Sequence, residues 1–220
     1  MKKTICSFIR SYVADYQKKP EIHTKWGEPE VGFADAWNPY IQNLKKIVGP
    51  THGLPQEVLP DAKIVIAYYV PFTRDLARTN KTGTHLASPD WALAYEETNA
   101  MFGKMNAEII RLIKKDGFQA LVPPQAATFD QKILKSDWSF RHFAYAAGLG
   151  TFGMNNMLIT KKGCCGRYNT IVTDLDVEPD HPVEGEYCLY KANGSCGVCF
   201  KNCPVSALTP EGYDRQLCYT

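Results

Sequence analysis

Long hydrophobic runs are missing from this chain of 220 residues. The longest clear apolar run, from Ile64 to Pro71, is far shorter than the roughly 20 residues that a membrane-spanning helix needs. The N-terminus carries lysines, but it has no uninterrupted apolar stretch and no small-residue cleavage site, so it does not read as a signal peptide. We therefore expect a cytoplasmic protein that does not enter the membrane.

An excess of charge of one sign is missing as well. Lysine and arginine total 25 against 23 aspartates and glutamates, and the Lys-Lys pairs are spread along the chain instead of forming one patch. This distribution argues against a dedicated nucleic-acid-binding protein. With 45% hydrophobic and 22% charged residues, the composition is that of a globular protein and excludes disordered and fibrous classes.

What the chain does have is cysteine near its C-terminus. Eight cysteines are present, and five of them fall in the last 33 residues. These five are Cys188, Cys196, Cys199, Cys203 and Cys218. In a chain without an export signal, clustered cysteines indicate metal ligands or redox groups instead of disulfides.

The spacing of the clustered cysteines matches a known ligand pattern. Cys196, Cys199 and Cys203, with the proline after it, align with the last three cysteines of the bacterial ferredoxin run C-x2-C-x2-C-x3-C-P, whose thiolates hold iron–sulfur clusters. Asn193 stands where the first cysteine belongs, and an amide is a poor cluster ligand. Cys188 is the natural substitute, because the Asn-Gly-Ser turn that follows can fold it back.

A structural zinc ion is the competing interpretation of the same cysteines. Four-cysteine zinc sites usually pair two C-x2-C knuckles, and only one knuckle is present here. The pattern therefore favours an iron–sulfur cluster over zinc, with unliganded thiols as the third alternative.

Helical and strand patterns alternate up to about residue 176, which predicts an α/β or α+β fold. Helices are expected over residues 3–18, around 40–48, over 89–116 and over 139–147, and strands over 63–70, 119–122, 157–160 and 169–174. An acidic, proline-bearing segment then precedes the cysteine-rich tail. We expect two domains, residues 1–178 and residues 179–220.

Gly148, Gly150 and Gly153 form a literal G-x-G-x-x-G. The dinucleotide fingerprint needs a strand before the glycines and a helix after them, whereas here a helical pattern precedes and a strand pattern follows. The sequence therefore favours a glycine turn that brings backbone close to a large ligand over a Rossmann site.

Other chemically capable residues carry weaker signals. Cys164 and Cys165 stand between two predicted strands, and two small residues in a tight turn are the favoured interpretation. A redox or ligand role for these thiols would require a lowered pKa. The histidines at positions 23, 52, 85 and 181 have no partners at ligand spacing, and we assign them no role.

The stretch from Trp138 to Gly153, the strand patterns at 158–160 and 171–175, and the cysteine tail resemble, in this order, the epoxyqueuosine reductase family. Its superfamily includes the respiratory reductive dehalogenases. The resemblance implies a nitroreductase-like α/β domain that binds a corrinoid such as cobalamin, with FMN as the less favoured alternative. It also implies a following ferredoxin-like module that carries one or two [4Fe-4S] clusters and feeds electrons to the corrinoid.

The resemblance also assigns roles to individual residues. The cysteines implied as cluster ligands are Cys188, Cys196, Cys199, Cys203 and Cys218, the last for a second cluster. Gly148, Gly150 and Gly153 are implied to lie beside the corrinoid. Asp137 is the nearest acid upstream of the glycine turn, where family members carry a proton donor, and Arg141 is a candidate contact for an anion of the substrate or cofactor.

The chain departs from the family pattern after Cys218. The closing C-x2-C-x3-C run and the C-terminal helical-repeat domain that grips tRNA are both missing. We therefore expect a truncated chain or an incomplete second cluster, and a small-molecule substrate in preference to tRNA.

The leading hypothesis is an iron–sulfur oxidoreductase that receives electrons from a donor protein and passes them to a corrinoid-type cofactor. The alternative is a ferredoxin-like electron carrier, or a corrinoid-handling partner protein, without a substrate of its own.

Overall fold

The computed structural model of this protein describes residues 1–81 and 86–219, so His85 lies outside the described residues. The described helices are α1 (Lys2–Tyr16), α2 (Pro39–Gln42), α3 (Leu44–Ile47), α4 (Pro55–Val58), α5 (Arg74–Thr79), α6 (Pro89–Lys115), α7 (Phe140–Ala146), α8 (Leu189–Asn193), α9 (Val198–Lys201) and α10 (Arg215–Tyr219). The described strands are β1 (Glu30–Asp35), β2 (Ile64–Pro71), β3 (Ala120–Leu121), β4 (Gly150–Phe152), β5 (Leu158–Thr160), β6 (Gly166–Thr173), β7 (Leu208–Thr209) and β8 (Gly212–Tyr213). The mixed α/β prediction is therefore confirmed.

A four-stranded sheet in the order β1-β2-β6-β3 forms the centre of the protein, and every neighbouring pair of its strands is antiparallel. All eight residues of β2 are buried. Both faces of this central strand are covered, which explains why its sequence is a continuous apolar run instead of an alternating one. Successive side chains of each strand point to opposite faces of the sheet.

Helices α1 and α6 cover the first face of the sheet. Helix α1 buries Ile5, Ile9 and Val13 at helical spacing, as the sequence predicts. The Ser88 hydroxyl caps α6 by accepting a hydrogen bond from a backbone amide of the first turn. Helix α6 is joined to β2 by the buried Tyr68 hydroxyl, which donates to its residue Asn106 over 2.6 Å.

Helix α7 covers the second face, together with the short helices α2 and α3. Phe143 of α7 stacks on Trp138 with the ring centroids 4.3 Å apart. The indole of Trp138 also donates a hydrogen bond to the hydroxyl of Thr170 in β6. Because Trp138 lies two residues before the first residue of the helix, these contacts fix where α7 begins on the sheet.

Two strands and one divided helix are among the elements that differ from the sequence prediction. Strand β1 lies in a stretch read only as proline- and glycine-rich with a short helix, and β4 lies inside the glycine turn. The single helix expected around residues 40–48 is divided into α2 and α3 at Asn43. Strand β4 has only three residues, and both strands are defined by pairing with a partner, β1 with β2 and β4 with β5, which local patterns do not report.

The tail after residue 178 contains α8, α9, the β7-β8 hairpin and α10. Side-chain to backbone hydrogen bonds tie it to the rest of the chain. Lys191 donates to the carbonyl of Phe152, and Gln216 donates to the carbonyl of Lys132. The boundary near residue 178 stays a prediction.

Within residues 1–81 and 86–219, no helix is both long enough and apolar enough to cross a membrane.

Candidate functional site

Cys203 lies in a nest of backbone amides. The amide of Ala207 donates to its sulfur over 3.2 Å, and Ser206 has a positive φ of 54°. Burial raises the pKa of the Cys203 thiol, but hydrogen bonds from the amides of residues 205–208 outweigh this effect and leave the pKa below its usual value. Consecutive amides of this kind form an anion-binding concavity, so the local fold favours a thiolate at this position.

Backbone amides also face the thiols of the C-x2-C pair. Amides of Val198 and Gly197 donate to Cys196 and lower its pKa, with a smaller contribution from Lys201. Burial raises the pKa of Cys199, whose other electrostatic neighbours include Cys188 and Cys196. Amide hydrogen bonds to cluster sulfurs are a recognised feature of iron–sulfur sites.

Cys188 is buried at the residue preceding α8. Asn193, the residue in the first ferredoxin position, uses its side-chain oxygen to accept a hydrogen bond from the amide of Ser195. The asparagine is thus engaged in a local turn, and Cys188, like Cys196, is a thiol within electrostatic reach of Cys199.

The cysteines do not stand in a preassembled metal-binding arrangement. Among the residues that the structure describes, no group of three or more His, Cys, Asp or Glu side chains is positioned to hold a metal ion. Cys218 lies next to Tyr213, where burial and the contact with this thiol raise the pKa of the tyrosine to about 12. No described interaction joins Cys218 to the other four tail cysteines, and the metal-ligand assignments stay predictions.

Close packing against the backbone explains why glycine is required at positions 148, 150 and 153. Gly148 has a φ of +73°, and a Cβ built on it would stand 2.2 Å from the carbonyl oxygen of His181. A Cβ on Gly150 would stand 2.0 Å from the carbonyl oxygen of Ile159. A Cβ on Gly153 would likewise lie within 2.6 Å of neighbouring side-chain atoms. The glycines let the segment leading to the tail and the β5 strand approach closely, and their cofactor role stays a prediction.

Asp137 lies just before α7 and holds two loops together. Its carboxylate accepts hydrogen bonds from the hydroxyls of Thr51 over 2.5 Å and Thr128 over 2.9 Å. These hydrogen bonds lower the pKa of Asp137. A general acid benefits from a raised pKa, so this environment suits a structural carboxylate better than a proton donor. Its catalytic role remains a prediction.

His52, to which the sequence assigns no role, is buried under α7. Its Nδ1–H donates to the carbonyl of Gly53, and its Nε2 accepts from the amide of Ser139, the residue preceding α7. The ring stacks against Trp138 at a centroid distance of 5.9 Å. Burial lowers the pKa of His52, which keeps it in the neutral form that this bonding requires. Sequence spacing could not find this partnership because His52 and Ser139 are distant in the chain.

A cavity of about 380 Å³ opens beside α7 and extends from the sheet to the tail. Basic side chains dominate its charge, and none of its lining residues is acidic. These basic residues are Lys135, Arg141, His142, Arg167 and Arg215. Neither Asp137 nor the three glycines line it.

Arg141 and Arg215 form the charged centre of this cavity. The guanidinium of Arg141 donates to the carbonyl of Asn156, and that of Arg215 donates to the carbonyl of Leu134 over 3.5 Å. Burial lowers the pKa of Arg141, and the charge of Arg215 lowers it further. Since an arginine keeps its proton in proteins, two positive charges face the cavity.

His142 lines the same cavity without adding charge at neutral pH. Burial lowers its pKa to about 4, and Arg141 contributes to the shift. Its Nδ1 lies 2.6 Å from the hydroxyl of Ser139, and its ring packs against Phe152.

Fold and site together define a mixed α/β protein with a cysteine-bearing tail in which backbone amides face the thiols of Cys196, Cys199 and Cys203. A comparison with protein-family models finds no match. By sequence, the chain is similar to the epoxyqueuosine reductase of Leadbetterella byssophila, with 35% identity over 77 residues, 34% of this chain and 24% of that protein. The epoxyqueuosine reductase of Lactococcus garvieae is 39% identical over 77 residues, 34% of this chain and 20% of that protein. The alignment thus spans a quarter or less of these curated relatives.

Solved structures that are similar to this chain are also epoxyqueuosine reductases. The epoxyqueuosine reductase of Bacillus subtilis, with its catalytic aspartate loop swung out of the active site, matches 96% of this chain and 56% of its own, with a TM-score of 0.51 at 18% identity. The enzyme of Streptococcus thermophilus matches 91% of this chain and 54% of its own, with the same TM-score and identity. The resemblance to epoxyqueuosine reductases is therefore confirmed, and these findings do not extend it to reductive dehalogenases.

The expectation of a small-molecule substrate in preference to tRNA is wrong. A third similar structure is an epoxyqueuosine reductase with an epoxyqueuosine-modified tRNA-Tyr stem loop, with a TM-score of 0.50 and 20% identity, covering 96% of this chain and 56% of its own. The expectation rested on a missing repeat domain and on net charge. Net charge is a sum over the whole chain, and it does not register a local cluster of basic residues such as the one in the cavity.

Proposed function

We propose that this protein is an iron–sulfur oxidoreductase of the epoxyqueuosine reductase type. The observation that carries the proposal is the set of backbone amides around Cys196 and Cys203 in a tail whose spacing follows the ferredoxin run. These amides lower the pKa of both thiols, and the thiolate is the form that binds iron.

In this proposal the tail is a ferredoxin-like module and the body is a nitroreductase-like domain. Cys188, Cys196, Cys199 and Cys203 hold a [4Fe-4S] cluster, which supplies single electrons when bound. Because no such group is preassembled among the described residues, cluster binding includes a rearrangement of the cysteine side chains. Cys218, beside Tyr213, is outside this set, and an electron-donor protein supplies the reducing equivalents.

The residues around the cavity fit a phosphorylated ligand better than a complete corrinoid. Ligand sites commonly measure about 300–1,000 Å³. The cavity, at about 380 Å³, is near the lower end of that range, and a corrinoid is larger than a drug-sized ligand. The cavity therefore does not fit a complete cobalamin, and we expect titration of the protein with cob(II)alamin to show no uptake at this cavity. Substitutions at Gly150 would not test it, because they collide with Ile159.

The proposed substrate is tRNA that carries epoxyqueuosine, as the names of the similar proteins indicate. The basic cavity supports this proposal, since contacts to phosphate supply most of the affinity of proteins for nucleic acids. The surface around α7 would make these contacts to phosphate groups of the tRNA. His52 and Trp138 fix the start of this helix.

The test is anaerobic purification followed by a visible spectrum and by iron, sulfide, cobalt and zinc analysis. A brown protein with near-equal iron and sulfide is expected, with the iron lost in Cys203→Ser and in Cys188→Ser. The matched control is Cys6→Ser, a cysteine of α1 that packs against the core. Colourless protein with one zinc per chain would overturn the iron–sulfur assignment.

The second part of the test is conversion of an epoxyqueuosine-containing tRNA stem loop by the iron-replete protein with a low-potential reductant. Turnover above that of Cys203→Ser supports the reductase assignment. Iron-replete protein that exchanges electrons but leaves the stem loop unchanged would favour the electron-carrier alternative instead.

A further inference from the structure

The cavity beside α7 is built from two distant parts of the chain. Arg141 comes from α7 and Arg215 from α10, and the described part of the chain places no carboxylate within salt-bridge distance of either guanidinium. The charged or titratable groups that influence the pKa of Arg141 are Arg215, Tyr168 and Tyr213, and none of them is a carboxylate. Two like charges therefore face one partly enclosed space without a described counter-charge.

Two of the other three basic residues of the cavity, Lys135 and Arg167, are held by the protein itself, and the third, His142, carries no charge at neutral pH. Arg167 stacks over the ring of Tyr95 at 3.9 Å, and it donates to the side chain of Asn99. Lys135 donates to the carbonyl of Val48 over 2.7 Å. These neutral partners orient the cations without neutralising them, so the positive potential of the cavity is retained.

Holding Arg141 and Arg215 together costs free energy unless an anion offsets their repulsion. A guanidinium presents several N–H donors in a planar fork that matches the oxygens of a phosphate group. The hydrogen bonds described for Arg141 go to Asn156 and to the sulfur of Met157, which leaves the other edge of its fork for a ligand.

We propose that Arg141 and Arg215 form a clamp that binds a phosphate group and thereby bridges the body of the protein and its tail. The inference rests on the proposed function only in placing the clamp next to the substrate site. Its chemistry is that of a phosphoryl group, and both an RNA backbone and a soluble phosphorylated metabolite could supply one.

The test uses the anaerobically purified full chain at constant ionic strength, with inorganic phosphate, pyrophosphate, adenosine monophosphate and an RNA stem loop as probes and with chloride as the reference. Calorimetric titration and the thermal unfolding midpoint are measured for each probe. A phosphate probe that binds the folded chain raises this midpoint by mass action, and chloride does not.

We expect Arg215→Gln and Arg141→Gln to weaken binding of the best probe by tenfold or more, and Arg215→Lys to restore part of it. The matched control is Arg74→Gln, which removes an equal charge from an exposed position on α5 outside the cavity. Unchanged affinity in Arg215→Gln, or equal losses in Arg215→Gln and Arg74→Gln, would overturn the clamp. Far-UV circular dichroism confirms that each variant is folded.

The probes also identify the source of the phosphate. Tight binding of the stem loop with weak binding of the small probes assigns the clamp to an RNA backbone, and the reverse order assigns it to a soluble ligand. Iron and sulfide are measured on the same samples. Colourless protein that still binds phosphate through Arg215 would contradict the proposed function and support the clamp. Brown protein that does not bind phosphate would support the proposed function and contradict the clamp.

Discussion

The sheet body and the cysteine tail are stabilised by different kinds of interaction. The body buries two large apolar clusters, one on each face of the sheet. In residues 179–219 the buried apolar side chains are Cys188 and Ala207. Burying one large side chain contributes roughly 1.5–3 kcal/mol, so the body has a core of its own and the tail does not. The tail therefore depends on hydrogen bonds to the body and, in our proposal, on its cluster.

The largest expected effect is a core truncation in the body. Ile66→Ala removes a fully buried side chain from the central strand β2 and should lower the free energy of unfolding by about 2–5 kcal/mol. Val198→Ala, at a tail position that is 57% exposed, should change it by less than about 0.5 kcal/mol. Urea denaturation followed by circular dichroism measures both. Equal effects would show that the tail and the body share one core.

The second prediction separates the tail from the body. Cys203→Ser should lose iron and become sensitive to limited proteolysis after about residue 178, because the tail has too little buried surface to stay ordered alone. The body should keep its urea midpoint. Cys6→Ser is the control, and mass spectrometry locates the cleavage sites. Cleavage spread evenly over the chain would contradict a body that is independently stable.

The third prediction concerns pH and the body alone. Burial lowers the pKa of His142 to about 4 and also lowers that of His52. Below the ordinary histidine pKa of about 6.5, these histidines bind protons in the unfolded chain but stay neutral in the folded chain. The free energy of unfolding therefore falls as the pH decreases. His142 should account for about 2–3 kcal/mol of this loss between pH 6.5 and 4.

The histidine prediction is measured by urea denaturation at half-unit pH steps. His142→Gln should flatten the pH dependence, and His23→Gln, a change at an exposed histidine, should not. An unchanged slope in His142→Gln would mean that another group titrates in this window.

Apart from the control substitutions, the smallest effect on the free energy of unfolding is expected at Asp137. Asp137→Asn weakens the hydrogen bonds from Thr51 and Thr128, and it should cost at most about 1 kcal/mol at neutral pH. Because the folded-state pKa is lowered, the stabilisation is present above the ordinary carboxyl pKa of about 3.9 and disappears as the pH falls below the folded value. Wild type and variant should thus converge at low pH. A loss of turnover of about 100-fold with unchanged stability would instead restore Asp137 as a proton donor.

Sequence patterns predict the elements whose signals are local. Helix α6 has a serine cap, a proline in its first turn and Gly117 just past its end with a φ of +87°. Strand β2 is a continuous apolar run, and α7 is followed, after its capping residue, by Gly148 with a positive φ. Strands β1 and β4 escaped prediction because each is defined by its partner strand, and β4 is in addition only three residues long.

The candidate site also has features that local sequence spacing predicts and features that depend on the tertiary structure. Cysteine spacing in the tail indicates the ligand set, because a ferredoxin run places its thiols by short-range spacing. Cys203 gains its amide nest only when residues 205–208 turn back on it. The pairing of His52 with Ser139 and the structural use of Asp137 likewise follow from loops that meet in space.

The amino-acid sequence by itself determined the mixed α/β class, the fully apolar central strand and the cysteine spacing, because these depend on periodicity and short-range order. Only the tertiary structure decided that Arg141 and Arg215 face one cavity without an acidic lining residue, and that the glycine turn accommodates the approach of His181 and Ile159. These features join residues far apart in the chain, and a pattern read along the sequence carries no information about which distant segments will meet.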